Sequence, residues 1–133
     1  MSVVWSATAV ETGWFSGVER HSAVADLADH LNELRILGQG YVEVRLPGSD
    51  LPYLAMGFQG DHAVVHLFDD SGGLSLLVGD GTAAPDAEVS VMILNELAFF
   101  TGDFTLSLDH AWDIVRDFIQ TGTTGELGQW RAL

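Results

Sequence analysis

"PYLAMGFQ" at residues 52–59 and "HAVVHLFD" at 62–69 are two apolar runs separated only by Gly60-Asp61. Each has the length of a strand, and a two-residue gap led by glycine is a β-hairpin signal, with Gly-Asp in place of the commoner Asn-Gly. Working outward, "YVEVRL" (41–46) alternates polar and apolar residues and closes at "PGSD". On the other side "DSGG" turns the chain into "LSLLVG" (74–79), and the glycine-rich "GDGTAAPD" leads to "AEVSVMIL" (87–94). Such short connections pair strands antiparallel, because a parallel crossover needs a dozen or more residues. Residues 3–10 read as an opening strand, and "TGWFSG" (12–17) as a turn or loop around two aromatics. Residues 95–105 are ambiguous: "LAFFTGDFTL" is compatible with one more short strand and a turn at Gly102-Asp103.

Two stretches carry helical spacing instead. In "HSAVADLADHLNELRILG" the apolar residues Val24, Leu27, Ala28, Leu31 and Leu34 share one helical face. Ser22 suits the N-cap of this helix and Gly38 its end. In "LSLDHAWDIVRDFIQTG" (106–122), Leu108, Ala111, Trp112, Val115, Phe118 and Ile119 form an apolar face three turns long. Ser107 caps that helix and Gly122 stops it. The order β-α-β-β-β-β-β-α, without repeat or linker, predicts one α+β domain over residues 1–133. Its mostly antiparallel sheet has about five to seven strands, with main helices at about 22–37 and 108–121.

The chain has 133 residues, 19 of them acidic and only five basic, all Arg, for a formal charge of −14. Nearly half the residues are apolar, so this is a folded globule and not an acidic tail. The charge argues against direct contact with nucleic acid or an anionic membrane and favours a basic partner. An acidic bias of the whole proteome explains the same composition. The absence of Cys excludes disulfides, thiolate metal sites and a cysteine nucleophile; the absence of Lys excludes Schiff-base chemistry and a Walker-type phosphate loop. The N-terminus lacks the basic start and cleavage pattern of a signal peptide, and "VSVMILNELAFF" is too short and too interrupted to span a bilayer. The expected location is cytoplasmic.

Chemistry-bearing constellations are sparse. His62 and His66 share a strand face but stand about 13 Å apart, too far to chelate one ion. They read as partly exposed imidazoles. His21 and His30 read as solvated side chains on or beside the first helix, and His110 sits where the helix dipole disfavours its protonated form. Ser49 and Ser71 are turn residues, and no nucleophile elbow exists. "VGDGT" (78–82) is a turn, since a strand follows it where a phosphate loop needs a helix. The pairs Asp69–Asp70 and Asp86–Glu88 lack chelating histidines. No catalytic residue, metal or cofactor is assigned.

The second helix carries Asp109, Asp113 and Asp117 at intervals of four, facing away from its apolar side. Like charges at this spacing cost a helix about 0.2–0.5 kcal/mol per pair. Arg116 is the only cation close in sequence. The row is either a solvated face in an acidic protein or a docking stripe for a basic partner, whose association rate and specificity it raises.

"LSLLVGDGTAAPDAEVSVMI", followed by "FFTGDFTLSLDHAWDIVRDFIQTG" and a Trp eight residues after Gly122, resembles the first-numbered family of immunity proteins of bacterial polymorphic toxin systems. The matching residues are Gly79, Gly81, Ala111, Val115, Phe118, Thr121, Gly122 and Trp130, within residues 60–133. The resemblance implies an immunity protein that binds and neutralises a cognate secreted toxin by stoichiometric protein–protein inhibition. The toxin would be a basic nuclease or nucleic-acid deaminase. It transfers no catalytic residue. Asp109, Asp113 and Asp117, with Glu126 and Trp130 nearby in sequence, are the candidate partner-binding residues, although Trp130 equally suits a cover over the core. Another reading is a small-ligand-binding or enzymatic domain with a pocket between sheet and helices, lined by Trp5, Trp14, Tyr41, Tyr53 or Phe58. Homodimerisation through an exposed strand edge stays open.

Overall fold

The computed structural model describes residues 1–133. In chain order the elements are β1 (Ser2–Thr8), β2 (Phe15–Ala23), α1 (Val24–Leu37), β3 (Gln39–Arg45), β4 (Tyr53–Gln59) and β5 (His62–Phe68). They continue with β6 (Leu74–Leu77), β7 (Glu88–Ile93), β8 (Glu96–Thr101), a 3₁₀ turn (Gly102–Phe104), β9 (Leu106–Ser107), α2 (Leu108–Thr121) and β10 (Trp130–Ala132). The central hairpin forms as expected. Gln59 pairs with His62, and Gly60 takes the positive φ of 58° that a two-residue hairpin turn requires.

The main sheet has eight strands in the order β10-β6-β5-β4-β3-β1-β2, with β9 also paired to β5, and every ladder in it is antiparallel. Strands β7 and β8 form a separate hairpin. The α+β class and the two helices stand; the strand count exceeds five to seven. Three short or polar segments account for the excess. "WRA" near the chain end pairs with β6, "LS" before α2 pairs with β5, and β2 takes over the expected loop from Phe15 onward while Trp14 stays in the turn. β2 is largely exposed, so it offers no apolar run and is held by its register with β1.

That register also corrects the first helix start. Ser2 pairs with Ala23, so the ladder occupies residue 22 and α1 begins only at Val24, with Ala23 at the cap position. The Ser22 hydroxyl accepts instead from Trp5 Nε1 at 2.9 Å and donates to the Ala23 carbonyl. Ser107 does cap α2, accepting from the His110 amide, and Gly122 ends it.

Both helices cover one face of the sheet. Leu27, Leu31 and Leu34 of α1 and Leu108, Ala111, Ile114, Val115, Phe118 and Ile119 of α2 close over Val3, Trp5, Val42, Val44, Leu54, Met56, Phe58, Val65 and Leu67. The β7–β8 hairpin covers part of the other face, where Val64, Leu76, Val89 and Val91 form a second cluster and Tyr41, Ala55 and Met92 a third. The middle strands β4 and β5 are thus buried on both sides, which explains their near-continuous apolar runs. Gly57 shows how close the hairpin lies: a Cβ there would stand 2.1 Å from the Met92 carbonyl oxygen.

Candidate functional site

The apolar stripe of α2 fixes its orientation, and Asp109, Asp113 and Asp117 are all exposed on the opposite side. The stripe differs in detail from expectation. Ile114 is buried, whereas Trp112 sits half-buried at the margin with the Arg116 guanidinium over its ring. The row is partly neutralised. Arg35 of α1 donates to Asp109 at 2.5 Å, and Arg116 pairs with Asp113. The Arg35 contact joins residues 74 positions apart, so no local spacing could disclose it. Asp117 makes no ion pair. The same helix layer presents Asp26, Asp29 and Glu33 from the exposed side of α1. None of the three is among the candidate residues above, although they alternate with the apolar residues that fix the helix.

All five arginines are engaged within the chain. Three form ion pairs, Arg20 lies over the Trp5 ring, and Arg131 over the Phe104 ring. Only four of the 19 side-chain carboxylates are in ion pairs, counting Asp80 with His110, and 15 are not. The negative field therefore faces outward with little internal compensation.

Glu126 is exposed in the segment between α2 and β10. Trp130 is half-buried against the main core, pairs across from Leu77, and donates from Nε1 to the Thr124 carbonyl at 2.8 Å. The structure therefore gives it the covering position.

The histidines divide by environment. His62 and His66 do share a face of β5, and His66 is turned against the rings of Phe68 and Phe100, where burial lowers its pKa. His30, expected in solvent, is only 8% exposed; Nε2 meets the Thr8 carbonyl at 2.8 Å beside the Trp5 ring. Its place between the buried leucines of α1 decides this. His110 Nδ1 lies 2.9 Å from Asp80, so the turn at 78–82 is pinned to the start of α2. Partial burial pushes the Asp80 carboxyl up, but hydrogen bonds from the Thr82 hydroxyl, His110, and the Thr82 and Ser107 amides outweigh it and hold the group well below the usual carboxylate range. No group of three or more His, Asp or Glu side chains is placed to hold a metal ion.

Of the residues named for a pocket between sheet and helices, Trp5 and Phe58 lie in the core of 22 buried residues between those layers. Tyr41 lies in the cluster on the other face, Trp14 is 62% exposed, and Tyr53 borders a cleft on the side away from the helices. No helix is long and apolar enough to cross a membrane. No protein-family model and no curated protein matches the chain.

Proposed function

We propose that the protein is a stoichiometric binding protein for a basic partner, acting as an immunity protein that neutralises a cognate toxin domain of the nuclease or nucleic-acid deaminase kind. The observation that carries this reading is the outward negative field: 15 unpaired carboxylates, with every guanidinium already occupied. The resemblance of residues 60–133 supplies the biological setting. A toxin that acts on a polyanion needs a cationic substrate path, and a rigid acidic surface can occupy it before the substrate does.

The helix layer is the part of that surface we assign to docking. Asp113 and Asp117 on α2 and Asp26, Asp29 and Glu33 on α1 project from two helices anchored by the main core. Anchored carboxylates lose little freedom when a partner binds, which favours specificity.

The test is co-expression with the C-terminal domain of the protein encoded beside this one in its source genome. Killing by that domain alone, and rescue through a complex whose association slows with salt, supports the reading. A harmless neighbour, or one that does not bind, overturns it. Reversing Asp113 and Asp117 to Arg is expected to slow association about tenfold or more at low salt, with dissociation changed less.

A further inference from the structure

On the sheet face away from the helices, the β7–β8 hairpin leaves part of β1, β3 and β4 uncovered. A cleft of about 260 Å³ opens there, bordered by Val4, Ser6, Glu43, Val44, Arg45 and Tyr53, with Glu19 and Asp50 at its rim. The strand register builds its floor. Val4, Arg45 and Tyr53 form one cross-strand rung, and Ser6 with Glu43 the next.

Arg45 does not supply a free cation here. Its Nε and Nη2 hold Glu19 through both carboxylate oxygens at 2.8 and 3.1 Å, and its Nη1 reaches the Leu46 and Ser49 carbonyls. The pair is a neutral wall. Glu43 accepts from the Tyr41 hydroxyl through Oε2 at 2.8 Å, which leaves Oε1 without a partner, and Asp50 makes no ion pair. Glu43 and Asp50 thus flank the cleft without an ion pair of their own, Asp50 within the field of Arg45.

Ser6 is the independent sign of a ligand. It is only 6% exposed and its hydroxyl bonds to nothing in the chain. No fully buried side-chain oxygen or nitrogen in the protein lacks a partner, so the Ser6 hydroxyl must open into the cleft. The hydroxyl of this largely buried residue therefore offers the cleft a donor and an acceptor that no group of the chain occupies.

We propose that this cleft binds an alkyl cation bearing several N–H donors, of the alkylguanidinium or alkylammonium class. Glu43 Oε1, Asp50 and the Ser6 hydroxyl receive the head group. Val4 and the Tyr53 ring line the path of its aliphatic stem. Charge selects against anions, and the unpaired acceptors select against neutral ligands with fewer donors. The site lies across the sheet from α1 and α2 and stands whether or not the helix layer docks a partner.

The test uses the full chain at low ionic strength, titrated with butylguanidinium, with uncharged butylurea of similar shape, and with acetyl-arginine amide. Butylguanidinium is expected to bind saturably and to shift the backbone amide resonances of Ser6, Glu43 and Tyr53, while butylurea does not. Glu43→Gln keeps an acceptor for Tyr41 and is expected to weaken binding about tenfold. Ser6→Ala weakens it less, and Asp86→Asn, in the exposed loop before β7, leaves it unchanged. Equal affinity for acetyl-arginine amide identifies the cation as a side chain that a basic protein can present; its exclusion identifies a free small molecule. Absence of saturation, equal binding of butylurea, or a Glu43→Gln affinity equal to wild type overturns the proposal. The butylurea comparison needs no variant and stands even if Glu43→Gln does not fold.

Discussion

Gly57 faces the Met92 backbone with no room for a methyl group. Alanine there must push the hairpin off the sheet or distort β4, and neither flexible end nor empty space can absorb it. Gly57→Ala is expected to destabilise the fold by about 3 kcal/mol, read as a lowered denaturation midpoint in urea with an unchanged slope. Asp80 acts through charge. Its folded pKa is depressed, so the folded state binds fewer protons than the unfolded state in the acid range. Its contribution is complete above the unfolded carboxylate pKa of about 4 and is lost as pH falls toward the folded value. Wild type is therefore expected to lose its thermal-stability advantage over Asp80→Asn as pH drops from about 5 downward, measured as paired melting curves across pH. A constant difference between the two proteins would dismiss the charge argument.

At the scale of elements, α2 shows why an acidic row is tolerable. Its amphipathic face buries six residues, Ser107 closes its start, and two of its three carboxylates have guanidinium partners. The row's mutual repulsion, about 0.2–0.5 kcal/mol per pair, is small beside the burial of that face. The Arg35–Asp109 bridge joins the two helices, yet Asp109 is 82% exposed, so solvent screens it heavily. A double-mutant cycle with Arg35→Ala and Asp109→Ala is expected to return a coupling of about 0–1 kcal/mol that shrinks with added salt. The bridge orients the row more than it stabilises the fold. The existence, face and both caps of α2 were legible from Ser107, the periodic apolar residues and Gly122, because each is set by neighbours within four positions. Arg35 was not, because a contact across 74 positions leaves no trace in local spacing.

For the whole molecule, a charge of −14 spread over a surface with few internal pairs opposes compaction. Raising salt from about 0.01 M to about 1 M shortens the screening length from about 30 Å to about 3 Å. The melting temperature is expected to rise across the lower part of that range, before preferential exclusion effects of concentrated salt enter. A flat or falling curve would show that the carboxylates are locally compensated after all.

The sequence by itself determined the α+β class, the antiparallel central hairpin, both helices with their buried faces, and the acidic excess. These follow from periodicity, turn chemistry and composition, which act over a few residues or none in particular. Only the tertiary structure decided which polar segments become strands, since β2, β9 and β10 are held by partners supplied from elsewhere in the sheet. It alone buried His30 and moved Ser22 from a helix cap to a Trp5 contact. It alone turned one face of the alternating "YVEVRL" into the floor of a cleft beside Ser6. The physical reason is common to these cases: a side chain's partner across a sheet or between layers is set by register and packing, and neither is a property of the residues beside it in the chain.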